Sequence, residues 1–139
     1  MHIRPFQPAD EDTVVTLWHR CDLTRPWNDA RKDIARKLVM QPDLFLVGTL
    51  EERVVATVMV GYQGHQGWVN YLAVDPDHQR RGFAKILMSE VERRLLALGC
   101  PKVSLQVRAS NPSATAFYTS LGYVQDDVVA FGRRLAGDA

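Results

Sequence analysis

Cysteine is scarce: Cys21 and Cys100 are the only two in 139 residues. They lie far apart with no companion at metal-ligand spacing, which excludes a disulfide scaffold and a thiolate metal site and reads as two reduced packing residues. An excess of charge of one sign is also missing. Seventeen Lys and Arg against sixteen Asp and Glu leave a formal charge of +1, so no global field draws the chain onto phosphate backbones or anionic lipid, and any anion site must be local. Long apolar runs are absent: Phe45 to Leu50 and Val54 to Gly61 fall well short of the roughly 18 residues that cross a bilayer. The opening His2-Ile3-Arg4-Pro5-Phe6 has a polar-punctuated strand pattern and lacks the basic end and apolar core of a secretory signal. The expectation is a cytoplasmic protein with neither a membrane nor a nucleic-acid partner.

What is present is the balance of one folded domain spanning residues 1–139, 46% hydrophobic and 24% charged. A chain of this length buries roughly two-thirds of the surface its unfolded form exposes. After a first strand and Pro8, Asp10 is placed to cap a helix with Val14, Leu17, Trp18 and Cys21 on one face. A second short helix carries Ile34 and Leu38 and ends at Pro42. Leu44 to Leu50 and Arg53 to Tyr62, separated by Glu51-Glu52, read as an antiparallel hairpin, and Gly64-His65-Gln66-Gly67 leads into a third strand, Trp68 to Val74.

From Gly82, an apolar stripe of Ala84, Leu87, Met88, Val91, Leu95 and Leu98 predicts the longest helix, stopped by Gly99 and Pro101. Lys102 to Arg108 alternates as a half-buried strand. Asn111 caps a helix with Pro112 in its first turn, Ala114, Phe117, Tyr118 and Leu121 on one side, and Gly122 as its stop. A last strand is expected over Val128 to Arg134. The order β α α β β β α β α β defines one α/β unit with a mixed sheet.

Chemistry concentrates in Leu72-Ala73-Val74-Asp75-Pro76-Asp77-His78-Gln79-Arg80-Arg81-Gly82-Phe83-Ala84-Lys85, where a strand ends, a loop turns and a helix starts at a glycine. First-turn N–H groups of a helix lack internal acceptors and sit at the positive end of its dipole, so they can hold a diphosphate. Gly82 permits close approach, and Arg80 and Arg81 add local charge. Nucleotide-hydrolysis and dinucleotide loops fit poorly, because neither Gly-x-x-x-x-Gly-Lys-[Ser/Thr] nor a strand-following Gly-x-Gly-x-x-Gly is present.

Gln79-Arg80-Arg81-Gly82-Phe83-Ala84 resembles the Gln/Arg-x-x-Gly-x-Gly/Ala pyrophosphate loop of the GNAT superfamily of N-acetyltransferases. Alone it would read equally well as a helix start with solvated arginines. Downstream, Asn111-Pro112-Ser113-Ala114-Thr115-Ala116-Phe117-Tyr118 and Leu121-Gly122-Tyr123 are similar to that family's second cofactor motif, and two motifs in register decide the matter. The segment Cys21 to Asp29, with Gly61-Tyr62 and Gly99-Cys100-Pro101-Lys102, resembles a small bacterial branch of the family.

The resemblance implies a mixed, mostly antiparallel central sheet flanked by helices and splayed at the cofactor site. It implies acetyl-CoA as donor, with Leu72, Ala73 and Val74 against the pantetheine arm and thioester. Gln79, Arg80, Arg81, Gly82, Phe83, Ala84 and Lys85 form the diphosphate cradle, and Asn111 and Ala114 lie on the far side. Tyr118 is implied as the proton donor to the departing thiolate, a role that suits a phenol with a pKa near 10, while Phe117 reads as core packing.

Many family members carry a Glu on the strand bearing the thioester site, but Trp68 to Val74 contains no acid. The base therefore stays open between water ordered by Asn70 or Tyr71 and the groups Asp22, Asp29 and His65; for the two acids a helix cap or solvated loop carboxylate is the commoner role, and His65 reads equally well as plain surface. The implied acceptor wall is Cys21 to Asp29 plus Tyr62 to Trp68, with Asp22, Trp27, Asp29, Tyr62, Trp68 and Asn70 as substrate-side candidates. Arg20 and Arg25 are candidates for holding a carboxylate; Trp27 also reads as a core plug. The expectation is direct transfer to an amine acceptor by a monomer or homodimer without a metal. A non-catalytic acyl-CoA-binding sensor is the alternative, and nucleic-acid binding through Arg80, Arg81, Arg93 and Arg94 is disfavoured by the charge balance.

Overall fold

The computed structural model describes residues 1–138. Its centre is a five-stranded sheet in the order β1-β2-β3-β4-β5, comprising β1 (His2–Pro5), β2 (Phe45–Leu50), β3 (Arg53–Tyr62), β4 (Gly67–Val74) and β5 (Val103–Leu105). The first four strands pair antiparallel and β5 joins β4 in parallel. Four helices complete the fold: α1 (Glu11–Arg20), α2 (Ala30–Leu38), α3 (Phe83–Ala97) and α4 (Pro112–Ser120).

Period-two patterning sends the side chains of the central strands to two separate cores. Phe45 and Val47 of β2 and Met59 of β3 pack with Val14, Leu17 and Trp18 of α1 and Ile34 of α2. On the opposite face, Leu46 of β2 and Ala56, Val58 and Val60 of β3 pack with Leu87, Met88, Val91 and Leu95 of α3. The result is a sheet between two helical layers.

β2 and β3 are joined through Glu51 and Glu52 alone, both left-handed at φ 49° and 67°. A two-residue link of that hand matches the natural twist of the strands it joins. Asp10 does not cap α1 with its side chain. It accepts from Arg4 at 2.8 and 2.9 Å and from the Gln7 N–H at 2.8 Å, which ties β1 to the 3-10 turn preceding the helix.

Two strand expectations fail. β5 is three residues long, not seven, and no strand forms over Val128 to Arg134, where Val128, Val129 and Phe131 are 76–94% exposed. Alternation confers only the capacity to pair; a strand also needs a neighbour's free edge. The chain after α4 instead runs back toward α2, with Arg134 donating to Asn28 Oδ1 at 3.1 Å and Asp138 lying on Arg36.

Candidate active site

Pairing between β4 and β5 stops at Val69 opposite Leu105, so Asn70 to Val74 have β3 on one side and, among the described residues, no strand on the other. Backbone groups along this open edge are available to a ligand. The splay is accompanied by a bulge. Thr57 pairs with Ala73 and Met59 with Asn70, leaving Tyr71 and Leu72 opposite Val58 alone, with Tyr71 at φ 52°.

Across the bulge, alternation resets. Trp68, Asn70 and Tyr71 line a cavity of about 510 Å³ on the α2 side. Leu72 and Val74 line a cavity of about 820 Å³ on the α3–α4 side. The bulge is buttressed from within: Trp18 stacks on the Tyr71 ring at 3.8 Å, Trp18 Nε1 donates to Thr57 Oγ1 at 2.9 Å, and Thr57 Oγ1 donates to the Tyr71 carbonyl at 2.9 Å.

The larger cavity lies at the start of α3. The loop entering it is left-handed at Arg80 (φ 65°) and again at Gly82 (φ 80°), where a Cβ would meet open space. Gln79 Nε2 donates to the Val74 carbonyl at 3.0 Å and ties the loop to the strand end. α2 and α4 have side-chain caps, from Asp29 and Asn111, whereas α3 begins at Gly82 with none. Its first-turn N–H groups remain open to an anion. Leu72, Val74, Gln79, Arg80, Gly82, Phe83, Ala84, Lys85, Asn111, Ala114 and Tyr118 all line this space.

Two residues expected here do not line the cavity. The Ala73 side chain is buried in the core on the α1 side, because the bulge turns it away, while its backbone stays on the open stretch of β4; the exposed Arg81 is not among the lining residues. Sequence reasoning missed His78 and Ser113 and assigned Phe117 to packing alone, although it lines the cavity. Asn111 spends Oδ1 on its own helix, accepting from the Ala114 N–H at 3.2 Å and the Ser113 hydroxyl at 3.0 Å.

Tyr118 lines the same space, with its ring 5.1 Å from Phe117 and 5.7 Å from Tyr123. Among the described residues nothing accepts its hydroxyl proton, and burial pushes its pKa up to about 12. It is a phenol that keeps its proton at neutral pH. Tyr123 donates to Glu92 at 3.1 Å and links the residues after α4 to α3.

The smaller cavity takes Tyr62, Trp68 and Asn70 from the strands, together with Asp33, Arg36 and Lys37 from α2 and Tyr71 from the bulge. Spacings of three and four residues put Asp33, Arg36 and Lys37 on one helix face. Lys37 is buried and donates to the Val60 carbonyl, and burial lowers its pKa. Tyr71 donates to Asp33 Oδ2 at 2.7 Å; burial first, and Asp33 second, hold its proton above the usual phenol range.

Asp22, Trp27 and Asp29 are not brought into this cavity. The Asp22 side chain is 97% exposed, beyond the turn that ends α1. Trp27, neither core plug nor cavity wall, is 54% exposed beneath the Arg108 guanidinium at 5.8 Å. Asp29 caps α2 by accepting from the Arg31 and Lys32 N–H groups at 2.8 and 3.2 Å. Arg20 pairs with Asp75 at 2.6 Å and Arg25 donates to the Asp22 and Thr24 carbonyls at 2.8 Å, and neither lines this cavity. Arg93 and Arg94 both pair with Glu90, leaving no free basic stripe on α3. No group of three or more His, Cys, Asp or Glu able to hold a metal occurs among the described residues. No helix there is long and apolar enough to cross a membrane.

A sheet opened at one strand, with an uncapped helix start on one side and a second cavity on the other, is the architecture of an acyltransferase that draws its acyl group from coenzyme A. The chain belongs to the acetyltransferase (GNAT) family, whose model matches residues 13–123, and is an acetyl-CoA-dependent enzyme of that family. It is 49% identical to an acetyltransferase of Sodalis glossinidius over 99% of this chain and 98% of that protein. Identity to an acetyltransferase of Pectobacterium atrosepticum is 48%, over the same shares. Among solved structures, Ard1 from Thermoplasma volcanium is similar at a TM-score of 0.77 and 28% identity, covering 88% of this chain and 82% of that one. The PaiA N-acetyltransferase of Thermoplasma acidophilum, solved with coenzyme A, shares the fold at a TM-score of 0.80 and 16% identity, over 92% of each chain.

Proposed function

We propose that the enzyme transfers the acetyl group of acetyl-CoA directly onto a primary amine of a small molecule, peptide or protein, as a single domain acting in the cytosol as a monomer or homodimer. The observation that carries this reading is the uncapped start of α3 at Gly82, facing a cleft bounded by the open edge of β4. The first-turn amides, with Arg80 and Lys85, bind the diphosphate. The open edge at Leu72 and Val74 orients the pantetheine arm and polarises the thioester carbonyl.

The amine nitrogen attacks the carbonyl carbon, the new N–C bond forms, and the C–S bond breaks. Tyr118 gives its proton to the departing thiolate, and the amine's surplus proton passes to water, which restores Tyr118 from solvent. The smaller cavity across the bulge admits the acceptor. Within the family, the Cys21 to Asp29 segment, with Gly61-Tyr62 and Gly99-Cys100-Pro101-Lys102, resembles the small bacterial acetyltransferase YpeA.

The test is release of free thiol from acetyl-CoA over a panel of amines, amino acids, polyamines and peptides, alongside calorimetry of acetyl-CoA binding. Amine-dependent release is the expected result, and absence of binding to a folded protein would sink the reading. The acid-free β4 favours one alternative, an acyl-CoA sensor, which would bind without turnover.

A further inference from the structure

The smaller cavity contains one carboxylate, Asp33, and two cationic side chains, Arg36 and Lys37. The cations are engaged. Arg36 donates to Asp33 Oδ1 at 2.9 Å and to both carboxylate oxygens of Asp138, at 2.5 and 3.3 Å. Lys37 is spent on the Val60 carbonyl. Asp33 is held by three donors. Oδ2 accepts from the Tyr71 hydroxyl and from Asn28 Nδ2, while Oδ1 accepts from Arg36 alone. A carboxylate oxygen takes two donors, so Oδ1 has room for one more. The Asp33 side chain is 21% exposed and lines the cavity beside Trp68, Tyr62 and Asn70.

We propose, building on the amine-transfer reading above, that Asp33 is the specificity-determining residue of the acceptor site. It accepts a hydrogen bond from the acceptor's amino group, so the acceptor is a primary amine with no free carboxylate beside that amine. A free α-amino acid would bring a second anion toward Asp33 and Asp138, with Arg36 already committed to both and Lys37 to the backbone. An amine, or an amide-linked residue such as a peptide N-terminus, brings only the donor that Oδ1 lacks. Tyr71 and Asn28 are positioning residues that fix the carboxylate against the cavity wall.

The experiment compares matched probes: amino acids, their carboxamides, and the corresponding decarboxylated amines, with aromatic, aliphatic and basic side chains, plus short peptides with free N-termini. Amines, amides and peptides should exceed the free acids by at least about tenfold in kcat/KM, the scale of a hydrogen bond to a charged group. Asp33→Asn should raise the KM of the best amine by about 10- to 100-fold, with acetyl-CoA affinity by calorimetry unchanged, which also reports that the variant is folded. Tyr71→Phe should raise the amine KM by a smaller factor and leave kcat intact. Equal use of the free acids, or an unchanged amine KM in Asp33→Asn, overturns this assignment while leaving amine transfer standing. No turnover with any probe, despite bound acetyl-CoA, overturns both.

Discussion

Tyr71 and Leu72, neighbours in the chain, line different cavities: Tyr71 opens on the α2 side and Leu72 on the α3–α4 side. The bulge between them sets the two cavities on opposite faces of one strand, and Thr57 holds it from β3. Thr57→Val keeps the shape and removes both of that hydroxyl's bonds, leaving the buried Trp18 N–H without an acceptor. It should cost about 1–3 kcal/mol, read by urea denaturation, and should raise the acceptor KM. A variant as stable as the parent would show that the bulge stands without this anchor.

Tyr118→Phe should bind acetyl-CoA with near-normal affinity and lose turnover. Removing a general acid costs about 10²- to 10⁴-fold in kcat. The parent's activity should show no loss attributable to Tyr118 ionisation between pH 7 and 9, because burial holds that pKa near 12. A variant matching the parent's kcat across that range would remove the tyrosine from the mechanism.

Gly82→Val places a β-branched residue at φ 80°, where the penalty is backbone strain because no atom crowds the new Cβ. The strain is about 1–2 kcal/mol, and the helix start should shift to relieve it. Acetyl-CoA affinity should fall by more than tenfold in calorimetry, with a Tm drop of a few degrees. Unchanged affinity would mean that the left-handed turn is not needed to present the α3 amides.

Glu90 pairs with Arg93 first and Arg94 second, which holds its carboxyl down at about 2 in the folded protein. A depressed carboxyl stabilises the fold above its unfolded value near 4.3. That contribution is lost as pH falls from about 4.5 through 2. Thermal melts of Glu90→Gln should therefore lie below the parent at pH 6 and converge with it toward pH 2. Parallel curves across the whole range would show that the pairs contribute nothing.

Cys21→Ala and Cys100→Ala should both retain turnover. Cys21 Sγ sits 3.3 Å from the Val74 carbonyl, and burial raises its pKa, so it stays a thiol and not a nucleophile. Complete loss of activity in a folded variant, by the thiol-release assay, would argue for a covalent acetyl-enzyme in place of direct transfer.

Local chemistry fixed much of this molecule before any packing. Helix periodicity and stop residues located α3 and α4, the Glu51-Glu52 break located the hairpin, and the Gln79 to Lys85 and Asn111 to Tyr118 motifs located the larger cavity, because each depends on residues close in the chain. The smaller cavity was not legible in the same way. Strict alternation along β4 would put Trp68, Asn70, Leu72 and Val74 on one face, and only the mismatch with β3 turns the last two to the other. Asp33 reads as an ordinary helix carboxylate until Tyr71, Asn28 and Arg36 converge on it from separate elements. The lost strand at Val128 to Arg134 makes the same point: a residue's preferred conformation is local, but a bulge, an open edge or a converging cluster exists only once distant segments meet.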